Sequence, residues 1–169
     1  MTITFRKLTE EDAAAFRKVR LEALEKYPDS FLVTKEQQES MTEEQQRQRF
    51  RNHQQGQFIA GAFSGDELVG MMGVMQEMRE KIKHKAALVA VYMSEKYQGA
   101  GIAGKLLDYS IQQAKKIGGI EQLQLAVATD NDPAINLYKR KGFQVYGTEK
   151  NALKSDGRYI DEHLMVLFL

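Results

Sequence analysis

Residues Val89 to Leu107 read VAVYMSEKYQGAGIAGKLL, and their order decides the architecture. An apolar strand runs through a short polar turn, Ser94 to Gln98, into the glycine-rich opening of an amphipathic helix. In a turn of the form Gln98-x-x-Gly101-x-Ala103 the side chains are small or absent, so several backbone N–H groups can converge on one phosphate at the positive end of the helix. A pyrophosphate is the expected guest, held over Gln98, Gly99, Ala100, Gly101, Ile102, Ala103 and Gly104.

The literal string admits other readings. GAGIAG satisfies G-x-G-x-x-G, the dinucleotide fingerprint, and GAGIAGK falls one residue short of a P-loop. A P-loop requires Ser or Thr after its lysine to hold magnesium, and Lys105 is followed by Leu106. A dinucleotide fold places its glycines directly after its first strand and then adds several strand-helix units, whereas only about 65 residues follow Gly104. The bland alternative is a strand-to-helix turn that binds nothing.

A second segment lies downstream, Asn131-Asp-Pro-Ala-Ile-Asn136-Leu-Tyr138-Lys-Arg-Lys-Gly142-Phe143. Together the two segments resemble the acetyl-CoA-binding motif and the N-x-x-A-x-x-x-Y-x-x-x-G-F helix of the GNAT superfamily of N-acetyltransferases, over about residues 86 to 146. The resemblance implies a GNAT-like fold, acetyl-CoA as cosubstrate, and direct attack of a primary amine in a ternary complex, with neither a metal nor a covalent intermediate. It implies that backbone groups of Val91 and Met93 bond the pantetheine arm and that Tyr138 is the general acid. Asn131 and Asn136 become amide partners for the same arm. On their own terms these residues also fit a packed helix tyrosine, a capping or loop asparagine and an exposed helix asparagine. Lys105, Lys139, Arg140 and Lys141 fit either phosphate contacts or a solvated face.

The family often recruits a glutamate near the cofactor strand as base, yet Ala86-Ala-Leu-Val-Ala-Val91 carries no carboxylate. Glu77, His84, Glu95, Glu162 and His163 remain as candidates. Two other functions stay open: an acyl-CoA-binding module without turnover, and a dinucleotide-dependent oxidoreductase.

The chain has 169 residues, which suits one domain spanning 1–169. Its 24 basic and 23 acidic residues leave a net charge of +1, so no general attraction to nucleic acid or anionic membrane is expected. Cysteine is absent, which excludes disulfides, a thiol nucleophile and a cysteine metal site. The opening Met1-Thr-Ile-Thr-Phe-Arg-Lys alternates like a strand and lacks the apolar core of a signal peptide, so a cytoplasmic location is expected. The partner expected is a small-molecule or peptide amine.

Periodicity predicts strands at Ile3 to Leu8, Gln57 to Phe63, Leu68 to Met78, Lys83 to Met93, Leu123 to Ala128, Phe143 to Glu149 and Tyr159 to Leu169. Helices are expected from Thr9 to about Tyr27, from the capping box Thr42-Glu-Glu-Gln45 to about His53, after the glycine turn up to Gly118-Gly119, and from Asp132 as cap and Pro133 to Gly142. Asp29 to Ser40 is the least determined stretch. The sum is an α+β fold, a mixed, mostly antiparallel sheet of six or seven strands with helices on both faces. Met71 with Met75, and Met72 with Met78, would occupy opposite faces of one strand, as core or as an adaptable acceptor or homodimer surface.

Overall fold

A computed structural model describes residues 2–169. Seven strands form one sheet: β1 (Ile3–Lys7), β2 (Gln57–Ser64), β3 (Glu67–Gln76), β4 (Lys85–Met93), β5 (Gln122–Ala128), β6 (Gln144–Ser155) and β7 (Arg158–Phe168). Their order across the sheet is β1-β2-β3-β4-β5-β7-β6, and of the six pairings only β4 with β5 is parallel. One parallel pair follows from one helical crossover. A doubly wound dinucleotide sheet is therefore ruled out, and the expected mixed antiparallel sheet is what forms.

Five helices cover it: α1 (Ala13–Lys26), α2 (Lys35–Glu39), α3 (Glu43–Arg51), α4 (Ile102–Lys116) and α5 (Asp132–Arg140). In α4 the buried residues Ile102, Leu106, Leu107, Ser110, Ile111 and Ala114 recur at helical spacing. They pack with Ile135 and Tyr138 of α5 onto Ala60, Met72, Leu88, Leu123, Leu125 and Met165. The opposite face holds a second core, in which Ala13, Phe16, Val19 and Ala23 of α1 and Phe50 of α3 meet Ile59, Phe63, Met71 and Tyr92. Met71 and Met72 are both fully buried on opposite faces, so they serve as core. Met78 lies beyond the end of β3 and is exposed, a correction to the longer strand expected.

Other boundaries moved for identifiable reasons. Thr9 precedes a 3-10 turn, Glu10–Asp12, before α1 begins. There the Asp12 carboxylate accepts from the Thr9 N–H at 2.8 Å and from both terminal nitrogens of Arg6 at 2.8 Å, which holds it below the usual carboxylate range. Asn131, not Asp132, caps α5, its Oδ1 accepting from the Ala134 N–H. The final hairpin is longer than expected because Asp156 and Gly157 both take positive φ and close a two-residue turn.

The feature that positions the site is a bulge in β4. Met71 pairs with Tyr92 and Gly73 with Val89, so Ala90 and Val91 together face one residue of β3. Ala90 sits at φ 54°, left-handed backbone without a glycine. The extra residue reverses the alternation: Ala86 and Leu88 point to the α4 face before the bulge, and Val91 and Met93 after it. Left-handed geometry costs a non-glycine residue roughly 1–2 kcal/mol, and glycine forfeits about 0.5–1 kcal/mol of chain entropy on folding. Ala90→Gly should thus stabilise the fold by about 0.5–1 kcal/mol, read as a higher urea midpoint, whereas Ala90→Val should lower it.

Candidate active site

Beyond the bulge β4 and β5 part company. Their parallel pairing covers only Lys85 to Ala87 against Gln122 to Gln124, and from Leu88 onward the two strands diverge. The gap is a cleft of about 380 Å³, floored by Leu88 to Val91 and Leu125 to Ala128 and bounded by Asn131, Ala134 and Tyr138 of α5. The β4 edge that faces this gap is without a strand partner, so an extended ligand arm can be bonded there as an added strand. Val91 lines the cleft. Met93 is less available than expected, because its carbonyl already accepts from Gln98 Nε2 at 2.8 Å.

That bond also corrects the role of Gln98, whose side chain braces the turn from within. Gly99 and Gly101 follow at φ 77° and 76°, and a Cβ added to either would meet open space. Gly101 is the N-cap of α4, and Lys105 N–H reaches back to the Gly101 carbonyl at 3.2 Å. The N–H groups of Ile102, Ala103 and Gly104 therefore have no acceptor within the helix. Together with the α4 dipole they make a cradle for an anion. Ile102 contributes only backbone, since its side chain is buried in the core, and Ala100 is exposed. Of the nearby cations, Lys141 is tied to Asp108 at 2.7 Å and its stem lies beside Gly104.

The second segment divides. Tyr138 is 5% exposed, its ring packs 5.6 Å from Phe143, and it lines the cleft. Burial pushes its hydroxyl up to about 12, so it stays protonated at any neutral pH. Asn131 also lines the cleft, with its oxygen spent on the cap and its NH2 group left over. Asn136 is exposed on α5 and does not line the cleft.

Residues 5–164 match the family model of the acetyltransferase (GNAT) domain. The chain belongs to the GNAT acetyltransferase family. It is 27% identical over 107 residues to the L-amino acid N-acetyltransferase AaaT of Escherichia coli (strain K12), covering 63% of this chain and 65% of that protein. The chain thus spans just under two thirds of this relative's length. The GNAT-family acetyltransferase of Streptococcus pneumoniae superposes with a TM-score of 0.89 at 23% identity, over 99% of this chain and 100% of the other. The phosphinothricin acetyltransferase of Sinorhizobium meliloti in complex with acetyl-CoA gives 0.84 at 20% identity, over 100% and 89%.

Within this GNAT domain the five candidate bases separate by position. Glu95 lies outside the cleft, bound to Lys26 at 2.8 Å, and that bond holds it below the usual carboxylate range. Glu77 and His84 do not line the cleft, and His163 shares its ring Nδ1 with the Thr148 hydroxyl at 2.8 Å. Glu162 alone of the five lines it. Directly opposed strand residues share a face, so Met165 lies with Leu125 on the α4 side and Glu162 with Ala128 on the α1 side. Burial first, then the neighbouring charge of Glu149, raises the Glu162 carboxyl. The α1 side of the cleft is completed by Arg20 and by Ser30, Phe31, Leu32 and Val33, from the stretch that the sequence left least determined. Arg20 was not among the sequence candidates. A charged residue one position after core Val19 was its only signal.

Among the described residues no helix is long and apolar enough to cross a membrane.

Proposed function

We propose that this protein is an acetyl-CoA-dependent N-acetyltransferase that moves an acetyl group to a primary amine by direct attack in a ternary complex. The observation that carries the reading is the cleft at the β4–β5 divergence, which joins an unpaired strand edge to a buried tyrosine, on a strand that leads through a short turn into a glycine-rich helix start. These residues fit an acyl-CoA: the cradle is open where a Cβ would intrude, and the strand edge is free for the amides of a pantetheine arm. The bound cosubstrate supplies an activated thioester carbonyl.

The protein's own groups do the rest. The Gly99–Gly104 backbone and the α4 dipole hold the pyrophosphate. Val91 N–H points its positive end at the acyl oxygen, where charge develops. Glu162, its carboxyl raised by burial and by Glu149, takes the proton that the amine nitrogen gives up as the N–C bond forms, directly or through one water. Tyr138 O–H donates a hydrogen bond to the sulfur as the C–S bond breaks, and the departing thiolate takes its proton from solvent. The NH2 group of Asn131 bonds the arm. A binding module without turnover would share the cradle but has no use for Glu162.

Thiol release from acetyl-CoA, measured with a panel of amino acids, polyamines, aminoglycosides and N-terminal peptides, tests the reading. Alkyl amines titrate near 10 and attack only when neutral, so turnover should climb from about pH 6 towards 9. A rate that peaks in acid and declines steadily above it would rule out amine attack. No thiol release with any amine, despite acetyl-CoA binding, would select the binding module.

A further inference from the structure

We propose that Arg20 binds the carboxylate of the acceptor, so that the amine acetylated belongs to an amino acid with an apolar side chain; this rests on the acetyltransferase reading above. Arg20 stands on α1 between the core residues Val19 and Ala23, and its guanidinium lies 4.9 Å over the Phe31 ring. Its Nη1 is enclosed and bonds nothing, and among the described residues no carboxylate pairs with it. Arg49, Arg79 and Arg140 also carry no acid partner among the described residues, but all three are exposed. Arg6, Arg47, Arg51 and Arg158 each meet an acid, and Arg17 bonds the carbonyls of Glu39 and Met41. The flanking acids of α1 are spoken for, since Glu22 accepts from the Tyr92 hydroxyl at 2.7 Å and Glu25 faces Lys35, and Glu162, which shares the cleft, makes no ion pair with Arg20.

A partly buried guanidinium without a counter-charge is costly, and both burial and the positive Arg49 act against its charge. Arginine keeps its proton nonetheless. An anion in the cleft would offset that cost. The cosubstrate's phosphates do not qualify, because their cradle lies at the start of α4, on the opposite face of the sheet. What remains is an anionic group on the acceptor. A planar carboxylate suits the guanidinium fork.

Glu162 completes the pattern, since it lines the same cleft and belongs to the same α1 face. One partly buried cation and one carboxylate in a single cleft sort a zwitterion, with the amine toward Glu162 and the carboxylate toward Arg20. Phe31, Val33, Val89 and Leu153 leave an apolar lining for the side chain between them. Polyamines carry only positive charge and would meet Arg20 unfavourably.

The experiment compares leucine and phenylalanine, each with its carboxamide, and spermidine, in thiol-release kinetics on wild-type protein and on Arg20→Gln and Arg20→Lys. Wild type should favour each acid over its amide by roughly 10- to 100-fold in kcat/KM, the range for a charge-assisted hydrogen bond. Arg20→Gln should raise KM for the acids by about the same factor and leave the amides within about 2-fold, with Arg20→Lys recovering part of the loss. The acetyl-CoA melting shift should survive in both variants. Binding of leucine or phenylalanine to CoA-loaded protein, followed calorimetrically, reads Arg20 without turnover: detectable in wild type and lost in Arg20→Gln. Wild type that acetylates amides or spermidine as well as the acids would overturn the assignment, even if neither variant folds. So would an Arg20→Gln that weakens acid and amide alike, or CoA-loaded wild type that binds neither acid. Binding of the acids through Arg20 with no thiol release would instead leave Arg20 standing and remove the acetyltransferase reading.

Discussion

Tyr138→Phe should lower kcat by about 100-fold while the melting temperature and the acetyl-CoA dissociation constant barely move. The ring is what packs against Phe143 and the α4 core, and phenylalanine keeps it. Only the hydroxyl is lost. Its value lies in the transition state, where charge collects on the departing sulfur, so the loss falls on kcat rather than on binding. The size follows from the two acidities. A thiol titrates near 8.5, and the Tyr138 phenol is pushed up to about 12. Complete proton transfer between them runs uphill by roughly 5 kcal/mol, so Tyr138 acts chiefly as a hydrogen-bond donor to a charged sulfur. Such bonds contribute about 1.5–3 kcal/mol, up to about 100-fold, the low end of acid catalysis. The same displacement keeps the phenol protonated throughout pH 6 to 9, so the Tyr138 contribution should be constant over that window and the rising limb should belong to the amine. Turnover and melting temperature on one preparation decide the matter. Near-normal kcat with intact stability would return Tyr138 to a packing role.

What the sequence disclosed and what it withheld follow from how many neighbours each stretch needs. Helix α4 was legible as an amphipathic helix, because a face repeating at helical spacing is written locally. The glycine turn was legible for the same reason: Gly99 and Gly101 at positive φ are a local demand. The bulge at Ala90 was not. Its cause is the register between β3 and β4, and an alanine at φ 54° announces nothing in sequence. Helix α2 carried a signal that went unread, since Thr34 and Gln37 form the same reciprocal capping box as Thr42 and Gln45. Its five residues are too few for a periodic face. Likewise Asp156-Gly157 marks a hairpin turn, but β6 is exposed along most of its length and shows no alternation to extend. The glycine turn and Tyr138 were therefore within reach of the sequence, whereas the α1 wall of the cleft was not. Arg20, Phe31 and Glu162 come from three separate stretches, and only the folded sheet and its helices bring them to one cleft.

Gly101→Val should abolish the stabilisation that acetyl-CoA confers. Ligand at 100 times its dissociation constant stabilises the native state by about 2.7 kcal/mol, which moves the melting temperature of a chain this size by several degrees. Two separate effects remove that shift. At φ 76° a β-branched residue sits in backbone that costs it at least about 1–2 kcal/mol, so the turn either strains or opens and its N–H groups diverge. If the turn holds, the new side chain stands in the open space where no protein atom lies within 4 Å, which is the space assigned to the pyrophosphate. Strain alone is controlled by Gly65→Val. That glycine also has φ 60° and open surroundings, but it lies in the β2–β3 hairpin, away from the cleft. Both variants should melt lower than wild type without ligand, by similar amounts. Only Gly65→Val should recover on adding acetyl-CoA. A folded Gly101→Val protein that keeps the full shift would move the pyrophosphate off the α4 N-terminus, and with it the direction from which the thioester enters the cleft.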